Sequence, residues 1–212
     1  MKLSRAEFED RYAAGTLKLA LIGMSNIGKS YSGMRLATDF DFTLTEVDKL
    51  IWEELGESDM DAFAAWQGQP YTEGYEARER ESMRLESRAT AKSLETTARN
   101  PLLDTTGSVI YADEDVLQRL SRDWFTVYIE AAPEHLERLQ QLYFAQPKPL
   151  AWAGHFRMID GMDETGSLKA CYPELLASRH ERYSALADHT ISSADILVRD
   201  NARLFELVKP VA

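Results

Sequence analysis

Residues 16–30 of the chain are TLKLALIGMSNIGKS, and they carry the strongest indication of its architecture. The segment from Thr16 to Gly23 is mostly apolar and flanked by turn residues, which is typical of a strand buried on both faces. The segment from Gly23 to Ser30 fits the pattern G-x-x-x-x-G-K-[ST] of phosphate-binding loops. Because it leaves a buried strand and enters the helical sequence GKSYSGMRLA, it has the context that such a loop requires.

The chemistry of this loop follows from its backbone and from two side chains. The N–H groups of the loop and of the helix N-terminus converge on phosphate oxygens, and a glycine such as Gly28 allows a close approach. Lys29 is expected to reach the β- and γ-phosphates, and the Ser30 hydroxyl to ligate Mg²⁺. The residues predicted to bind the nucleotide are Gly23, Ser25, Asn26, Ile27, Gly28, Lys29, Ser30 and Tyr31. A glycine-containing turn that binds no nucleotide is the alternative.

An acidic residue outside this loop supports the binding of a nucleotide together with a metal ion. Asp104 follows Leu102 and Leu103 at the end of an apolar segment, where phosphate-loop proteins carry an acid that orients Mg²⁺ through its water shell. An aspartate before Thr-Thr-Gly also fits a turn former, and the sequence leaves both interpretations open. We therefore predict ATP and Mg²⁺ as cofactors.

Strand-like and helix-like segments alternate along the rest of the chain. The segments 124–131 and 189–193 have the composition of strands, and apolar and β-branched residues also dominate 102–111. Apolar spacing and capping residues predict helices at 45–55, 75–97, 113–120, 133–145, 172–188 and 194–208. This alternation predicts an α/β fold with a parallel sheet. Residues 56–74 are predicted to form a loop with one weak helical turn, and 146–166 a mobile flap.

Composition excludes several classes of function. The 212 residues carry 24 Lys and Arg against 35 Asp and Glu, a net charge of −11 that argues against binding a nucleic-acid backbone. The sequence has no apolar run of membrane-spanning length, so no membrane partner is expected. The polar N-terminal segment is unlike a signal peptide, and a single cysteine, Cys171, suits a reducing compartment. We expect one cytoplasmic domain, as a monomer or weak homodimer.

Taken together, these segments resemble shikimate kinase and its relatives in the nucleoside-monophosphate-kinase-like group of P-loop proteins. GMSNIGKSYSGMRLA is similar to that family's phosphate loop, and Glu46-Val47-Asp48 lies where the family has Asp-x-Asp. DTTGSVIY, 104–111, is similar to its glycine-rich substrate loop. LLASRHERYSALADHTI, 175–191, resembles its penultimate helix and last strand, including Arg179 and Tyr183.

The resemblance implies a fold and a reaction. The fold would be a three-layer α/β/α P-loop domain over 1–212 with a parallel five-stranded sheet. It would carry a substrate-binding helical excursion at about 57–99 and a flexible lid at about 146–167. The reaction would transfer the γ-phosphate of ATP to a hydroxyl of a small, anionic acceptor.

The resemblance also implies roles for single residues. Lys29 and Asp48 would be catalytic, and Glu46 would join Ser30 and Asp104 at the magnesium ion. An arginine for the acceptor's carboxylate would be Arg78, with Arg80 as a rival, and the lid cation would be Lys148 or Arg157. The residues predicted to bind the acceptor are Asp48, Arg78, Thr106, Gly107 and Lys148. Arg84 and Arg88, which continue a helical stripe from Arg80, are predicted to face solvent.

Several positions depart from the family pattern. Tyr31 replaces a small hydroxyl residue, Glu46 replaces aspartate, and Thr105 and Thr106 replace two glycines. An arginine expected before the penultimate helix is absent, with Lys169 the nearest cation. These differences predict an acceptor related to but distinct from shikimate. They also leave open a regulatory nucleotide-binding module that performs no phosphotransfer.

Overall fold

The computed structural model describes residues 1–56, 60–145, 150–197 and 200–211, and the statements below refer to these ranges. Its centre is a five-stranded sheet in which every neighbouring pair is parallel, in the order β2-β3-β1-β4-β5. The strands are β1 Leu19–Ile22, β2 Thr43–Glu46, β3 Pro101–Asp104, β4 Phe125–Glu130 and β5 His189–Ser192. The predicted parallel five-stranded sheet is confirmed.

Helices flank this sheet and complete the predicted three-layer architecture. They are α1 Arg5–Ala14, α2 Lys29–Asp39, α3 Val47–Leu55, α4 Met60–Gln67, α5 Tyr75–Ser93, α6 Glu114–Asp123, α7 Pro133–Ala145, α8 Glu164–Leu186 and α9 Asn201–Val208. All four residues of β1 and of β3 are buried, as expected for strands covered on both faces. None of the helices in the described ranges combines the length and apolar character needed to cross a lipid bilayer.

The strand register brings the predicted site residues to one edge. Leu21 of β1 and Glu46 of β2 are both Cα partners of Asp104, so all three lie at the same level of the sheet. The carboxyl ends of parallel strands meet at one edge, and ligands of open α/β sheets bind there. The phosphate loop, Glu46 and Asp104 are therefore neighbours because of topology.

The edge strand β2 corrects the prediction of a helix from residue 45. Thr45 and Glu46 lie in β2, and the helix begins at Val47. A strand at the edge of the sheet has one side in contact with solvent, so TLTE carries polar residues and lacks a continuous apolar run. The local pattern of this segment therefore did not indicate a strand.

Other boundaries also differ from the sequence predictions. The strand-like segment 102–111 ends as a strand at Asp104, and Val109–Tyr111 forms a 3₁₀ turn. Where one weak helical turn was predicted, α4 extends over Met60–Gln67. The helix predicted at 194–208 begins only at Asn201, because Asp200 caps its first N–H groups.

The long helix α8 differs most from its prediction. It begins at Glu164, within the predicted flap, and continues through Pro173. The sequence predicts a helix start at residue 172, one residue before this proline. In the structure Pro173 lies in the helix interior, where it removes one backbone hydrogen bond without ending the helix.

Two clusters of buried apolar side chains hold the layers together. The larger cluster surrounds the sheet. The smaller one joins α5, α7 and α8 to the segment after residue 150, and its members are Tyr75, Tyr143, Trp152, Leu168, Cys171, Tyr172 and Leu175. Part of the predicted lid, Ala151 and Trp152, is therefore buried. The mobility of the remaining lid stays a prediction.

Candidate functional site

The loop between β1 and α2 has the backbone conformation of an anion cradle. Asn26 and Gly28 have φ values of 63° and 107°, so the loop contains left-handed turns that direct N–H groups inward. A Cβ atom on Gly28 would lie 2.7 Å from Ile196 Cδ1, which adds a packing reason for glycine here. The ammonium of Lys29 donates to the carbonyl oxygens of Gly23 at 2.9 Å and Met24 at 3.1 Å. The lysine is thereby held inside the loop.

The N-terminus of α2 is suited to bind an anion. Its N-cap is Gly28, which forms no side-chain cap, and its first turn contains no acidic residue. The N–H groups of this turn are therefore left for a ligand, and the helix dipole adds positive potential at the same place. Ser30 and Tyr31 in this turn are both exposed.

Asp104 has an environment that fits a nearby cation. Its side chain is 5% exposed, and within the described chain its Oδ1 atom has no hydrogen-bond partner. Burial raises the pKa of Asp104 above its usual value, while Lys29 and a hydrogen bond from Ser30 oppose this shift. A buried carboxylate oxygen without a partner costs free energy that a bound cation would recover.

The third predicted metal residue, Glu46, is already engaged. Lys49 donates a hydrogen bond to its carboxylate, and this contact raises the pKa of Lys49. Within the described ranges no three acidic, histidine or cysteine side chains converge as a metal cage. A magnesium ion at Ser30 and Asp104 would consequently take most of its ligands from phosphate and water, which is the usual arrangement for this ion.

A cavity of about 230 Å³ extends from the phosphate loop into the protein. Besides loop residues its wall contains Asp48 from the first turn of α3, apolar side chains, polar side chains of α5, and the segment after β3. The residues beyond the loop are Asp48, Ile51, Phe63, Gln67, Ser82, Glu86, Thr106, Gly107 and Ser108. The structure thus brings Asp48, Thr106 and Gly107 to the wall of one cavity with Lys29.

Glu86 is a cavity residue that the sequence did not single out. Its side chain is 5% exposed, and its Oε1 atom has no hydrogen-bond partner among the described residues. Burial, followed by the neighbouring charge of Asp48, raises the pKa of Glu86 to about 8. Nothing in the sequence pattern of the highly charged helix α5 distinguishes this carboxyl from its exposed neighbours.

The segment after β3 packs directly against the phosphate loop. Thr105 donates through its hydroxyl to the carbonyl of Leu21 at 2.8 Å. A Cβ atom on Gly107 would lie 2.9 Å from the backbone nitrogen of Ser25, so only glycine permits this approach. The nucleotide loop and the segment predicted to bind the acceptor therefore form one continuous surface.

Comparison with solved structures identifies this architecture. A shikimate kinase from Acinetobacter baumannii, solved in complex with shikimate, superposes with a TM-score of 0.61 at 21% identity, covering 92% of this chain and 91% of that one. The shikimate kinase of Bacteroides thetaiotaomicron gives 0.60 at 18% identity, covering 91% and 94% of the two chains.

The fold is that of shikimate kinase. A third shikimate kinase, from Aquifex aeolicus, gives a TM-score of 0.52 at 19% identity over 91% of this chain and 92% of that one. Neither a protein-family model nor a curated protein sequence matches the chain. At these identities the likeness concerns the fold, and the predicted shikimate kinase-like architecture is confirmed.

Within this shikimate kinase-like fold, Arg179 occupies a central buried position. It is 1% exposed and donates to the carbonyls of Gly107 and of Ala151, the latter at 3.0 Å. Its other contacts are with the hydroxyls of Ser108 and Tyr183. The family resemblance includes Arg179 and Tyr183, but neither is among the residues predicted to form the site. Their position in the resembling helix was the signal that could have found them.

The arginines predicted to bind the acceptor lie elsewhere in this shikimate kinase-like fold. The guanidinium of Arg78 donates to the carbonyls of Gln67 at 3.0 Å and Glu73 at 3.1 Å, and Arg78 does not line the cavity. Arg80 is exposed and lies 3.8 Å from Glu76. Both arginines therefore stabilise the surface of α5 and the turn before it.

The predicted lid cations are only partly described. Lys148 lies outside the described residues. Arg157 is exposed and donates to Glu174 at 2.9 Å, and His155 lies 3.6 Å from the same carboxylate. Arg157 therefore contacts α8 rather than the cavity wall.

Proposed function

We propose that the protein is an ATP-dependent kinase that transfers the γ-phosphate to a hydroxyl of a small molecule. The observation that carries the proposal is one cavity whose wall contains the phosphate loop together with Asp48, Glu86 and the segment around Gly107. A kinase must hold its two substrates in one enclosed space, because phosphoryl transfer depends mainly on positioning and on charge stabilisation. The shikimate kinase-like fold is consistent with this reaction.

The phosphate loop would bind the triphosphate. Lys29, together with the first N–H groups of α2, would compensate the charge of the phosphate oxygens. Ser30 and Asp104 would hold Mg²⁺, with Glu46 in its outer shell. When bound, this ion neutralises charge on the transferring phosphoryl group.

Asp48 would act on the acceptor. It is half-buried, lines the cavity, and is close enough to Glu86 to raise the pKa of that carboxyl. We propose that Asp48 orients the acceptor hydroxyl and accepts its proton during transfer. Thr106 and Gly107 would position the acceptor, and the lid segment at about 146–167 would exclude water.

The remaining expectations concern the whole protein. We propose a single domain that acts in the cytoplasm as a monomer or weak homodimer. The lone cysteine, Cys171, is buried and unbridged, which is compatible with a reducing compartment.

Calorimetry with MgATP tests the first half of the proposal. Wild-type protein should bind MgATP, and Lys29→Ala should weaken binding by about 100-fold, since a charge-assisted contact to phosphate is lost. Lys92→Ala, an exposed lysine at the end of α5, is the matched control and should bind like wild type. Absence of heat with well-folded wild-type protein would refute the nucleotide site.

A screen for ADP release tests the second half. Hydroxylated metabolites are added with MgATP, and at least one should accelerate ADP formation. Tight MgATP binding without acceleration by any compound would favour the alternative, a regulatory nucleotide-binding module.

A further inference from the structure

We infer that the acceptor carries a cationic amine beside its hydroxyl groups, and that the Glu86 carboxylate binds this amine at the inner end of the cavity. The inference rests on the proposed kinase function and names the chemical class of its acceptor. The sequence led us to expect an anionic acceptor, whereas this inference gives the acceptor a positive charge.

Glu86 is a buried carboxyl with an unused oxygen. It is 5% exposed, it belongs to the wall of the cavity, and its Oε1 atom has no hydrogen-bond partner in the described part of the chain. The backbone N–H of Ser108 lies near the carboxyl and favours its ionised form. Buried polar atoms in folded proteins are almost always satisfied, so an unsatisfied one in a cavity wall indicates a ligand that satisfies it.

The charges around the cavity favour a cation at this end. The acidic residues of the wall are Asp48 and Glu86, and Lys29 is the cationic one among the described lining residues. Lys29 is bonded to carbonyl oxygens of the phosphate loop, where the triphosphate would bind. An acceptor carboxylate would therefore face two carboxyl groups, whereas an ammonium group could pair with Glu86.

Arg179 does not reverse this balance. It does not line this cavity but a smaller neighbouring one, and it donates to the carbonyls of Gly107 and Ala151 and to two hydroxyls. The charged and titratable groups that act on Glu86 are Asp48 of α3, Lys29 of α2, and Arg179 and Tyr183 of α8.

The expectation of an anionic acceptor depended on cations that are not at the cavity. Arg78 is bonded to the turn before α5, and Arg80 pairs with Glu76 at the surface. The other side chains of the wall fit the hydroxyls and carbon skeleton of an amino polyol. They are Ile51, Phe63, Gln67, Ser82, Thr106 and Ser108.

Binding of an amine should be linked to release of a proton. Burial and Asp48 raise the pKa of Glu86 to about 8, so at pH 7 the carboxyl is mostly protonated in the free protein. An ammonium group at hydrogen-bond distance favours the carboxylate, and Glu86 then loses its proton to the buffer. We expect about one proton to be released for each amine bound at pH 7.

Two sets of matched probes test the inference by calorimetry, with a non-hydrolysable ATP analogue and Mg²⁺ present. The three-carbon set is serinol, glycerol and glycerate, and the six-carbon set is glucamine, sorbitol and gluconate. In at least one set the amine should bind about ten-fold tighter than the neutral polyol and the acid. Titrations in PIPES and MOPS buffers, which differ in ionisation enthalpy and contain neither a hydroxylated amine nor phosphate, count the protons released.

Variants test whether the Glu86 carboxyl causes the preference for the amine and the proton release. Glu86→Gln should abolish both the preference for the amine and the proton release, while binding of the ATP analogue stays within two-fold. Glu76→Gln, an exposed glutamate on the same helix, should behave like wild type. If Glu86→Gln does not fold, the affinity order of the probes and the number of protons released by the wild-type protein still test the inference.

The outcomes separate this inference from the proposed function. If the ATP analogue binds but the acids or neutral polyols are preferred, or no amine binds, the amine-bearing acceptor is refuted and the kinase survives. An equal amine preference in Glu86→Gln also refutes it. If the wild-type protein does not bind the ATP analogue, the kinase proposal itself fails.

Discussion

At the scale of single residues, Asp48 and Lys29 face the same cavity from different elements. Lys29 begins α2 and is held by loop carbonyls, whereas Asp48 lies in the first turn of α3. A lysine fixed by the loop before the substrate binds needs little rearrangement, and such preorganised charge is the main electrostatic contribution to many reactions. The two residues should consequently affect different steps.

Asp48→Asn separates these steps. The amide can still accept a hydrogen bond but cannot take a proton, so acceptor-dependent ADP formation should fall by about 100-fold or more. The dissociation constant for MgATP should stay within two-fold. Steady-state rates and calorimetry measure the two quantities.

Asp115→Asn, in the exposed first turn of α6, is the control for this change and should keep wild-type rates. An unchanged rate in Asp48→Asn would remove Asp48 from the proposed mechanism.

At the scale of elements, helix α5 has two polar faces with different roles. Arg80, Arg84 and Arg88 are exposed and form surface ion pairs, which confirms the solvent-facing prediction for Arg84 and Arg88. The inward face carries Glu79 and Glu86, both buried. Glu79 holds the lid segment to the helix, since its carboxylate accepts the N–H groups of Trp152 and Ala153.

Glu79→Ala should release this lid segment. The variant removes the carboxylate that accepts from Trp152, Ala153 and Tyr75 and leaves the N–H group of Ala153 without its acceptor, so stability should fall by about 1–3 kcal/mol. Amide hydrogen exchange at Trp152 and Ala153 should accelerate by about ten-fold or more.

Glu76→Ala, at an exposed position on α5, should leave both measurements near wild type. Slow exchange at Trp152 and Ala153 in Glu79→Ala would show that other contacts hold the segment.

Sequence patterns predicted the elements that a short motif within the element itself marks. A glycine-lysine-serine sequence marks the phosphate loop, an apolar run marks β4, and an initial proline marks α7, so all three were predicted. The inward face of α5 could not be predicted, because the helix carries charged residues on all its sides. Packing against distant elements decides which of these residues are buried. For the same reason the sequence gave no indication of Glu86, whereas Arg78 was assigned to the acceptor from the family resemblance.

At the scale of the whole molecule, the buried Glu86 should make stability depend on pH. Its pKa is about 8 in the folded protein and near 4.5 in an unfolded chain, so the folded state binds the proton more tightly. The stability that this proton contributes is present below about pH 4.5 and is lost as the pH rises to about 8. Within this range the free energy of unfolding therefore falls steadily as the pH rises.

Urea unfolding between pH 5 and 8 measures this dependence. The free energy of unfolding of the wild type should fall relative to that of Glu86→Gln as the pH rises, because glutamine has no proton to lose. Glu76→Gln should follow the wild type. Parallel curves for wild type and Glu86→Gln would mean that Glu86 ionises normally in the folded protein.

The guanidinium of Arg179 bears on product release in the proposed kinase. It donates both to Gly107, which touches the phosphate loop, and to Ala151, which lies in the lid segment. If the segment at Ala151 swings away, the arginine loses one of its two backbone acceptors, and the turn at Gly107 loses rigidity in the same movement. Exit of the phosphorylated product and relaxation of the nucleotide pocket would then be a single event, so neither product could depart while the other remained tightly enclosed.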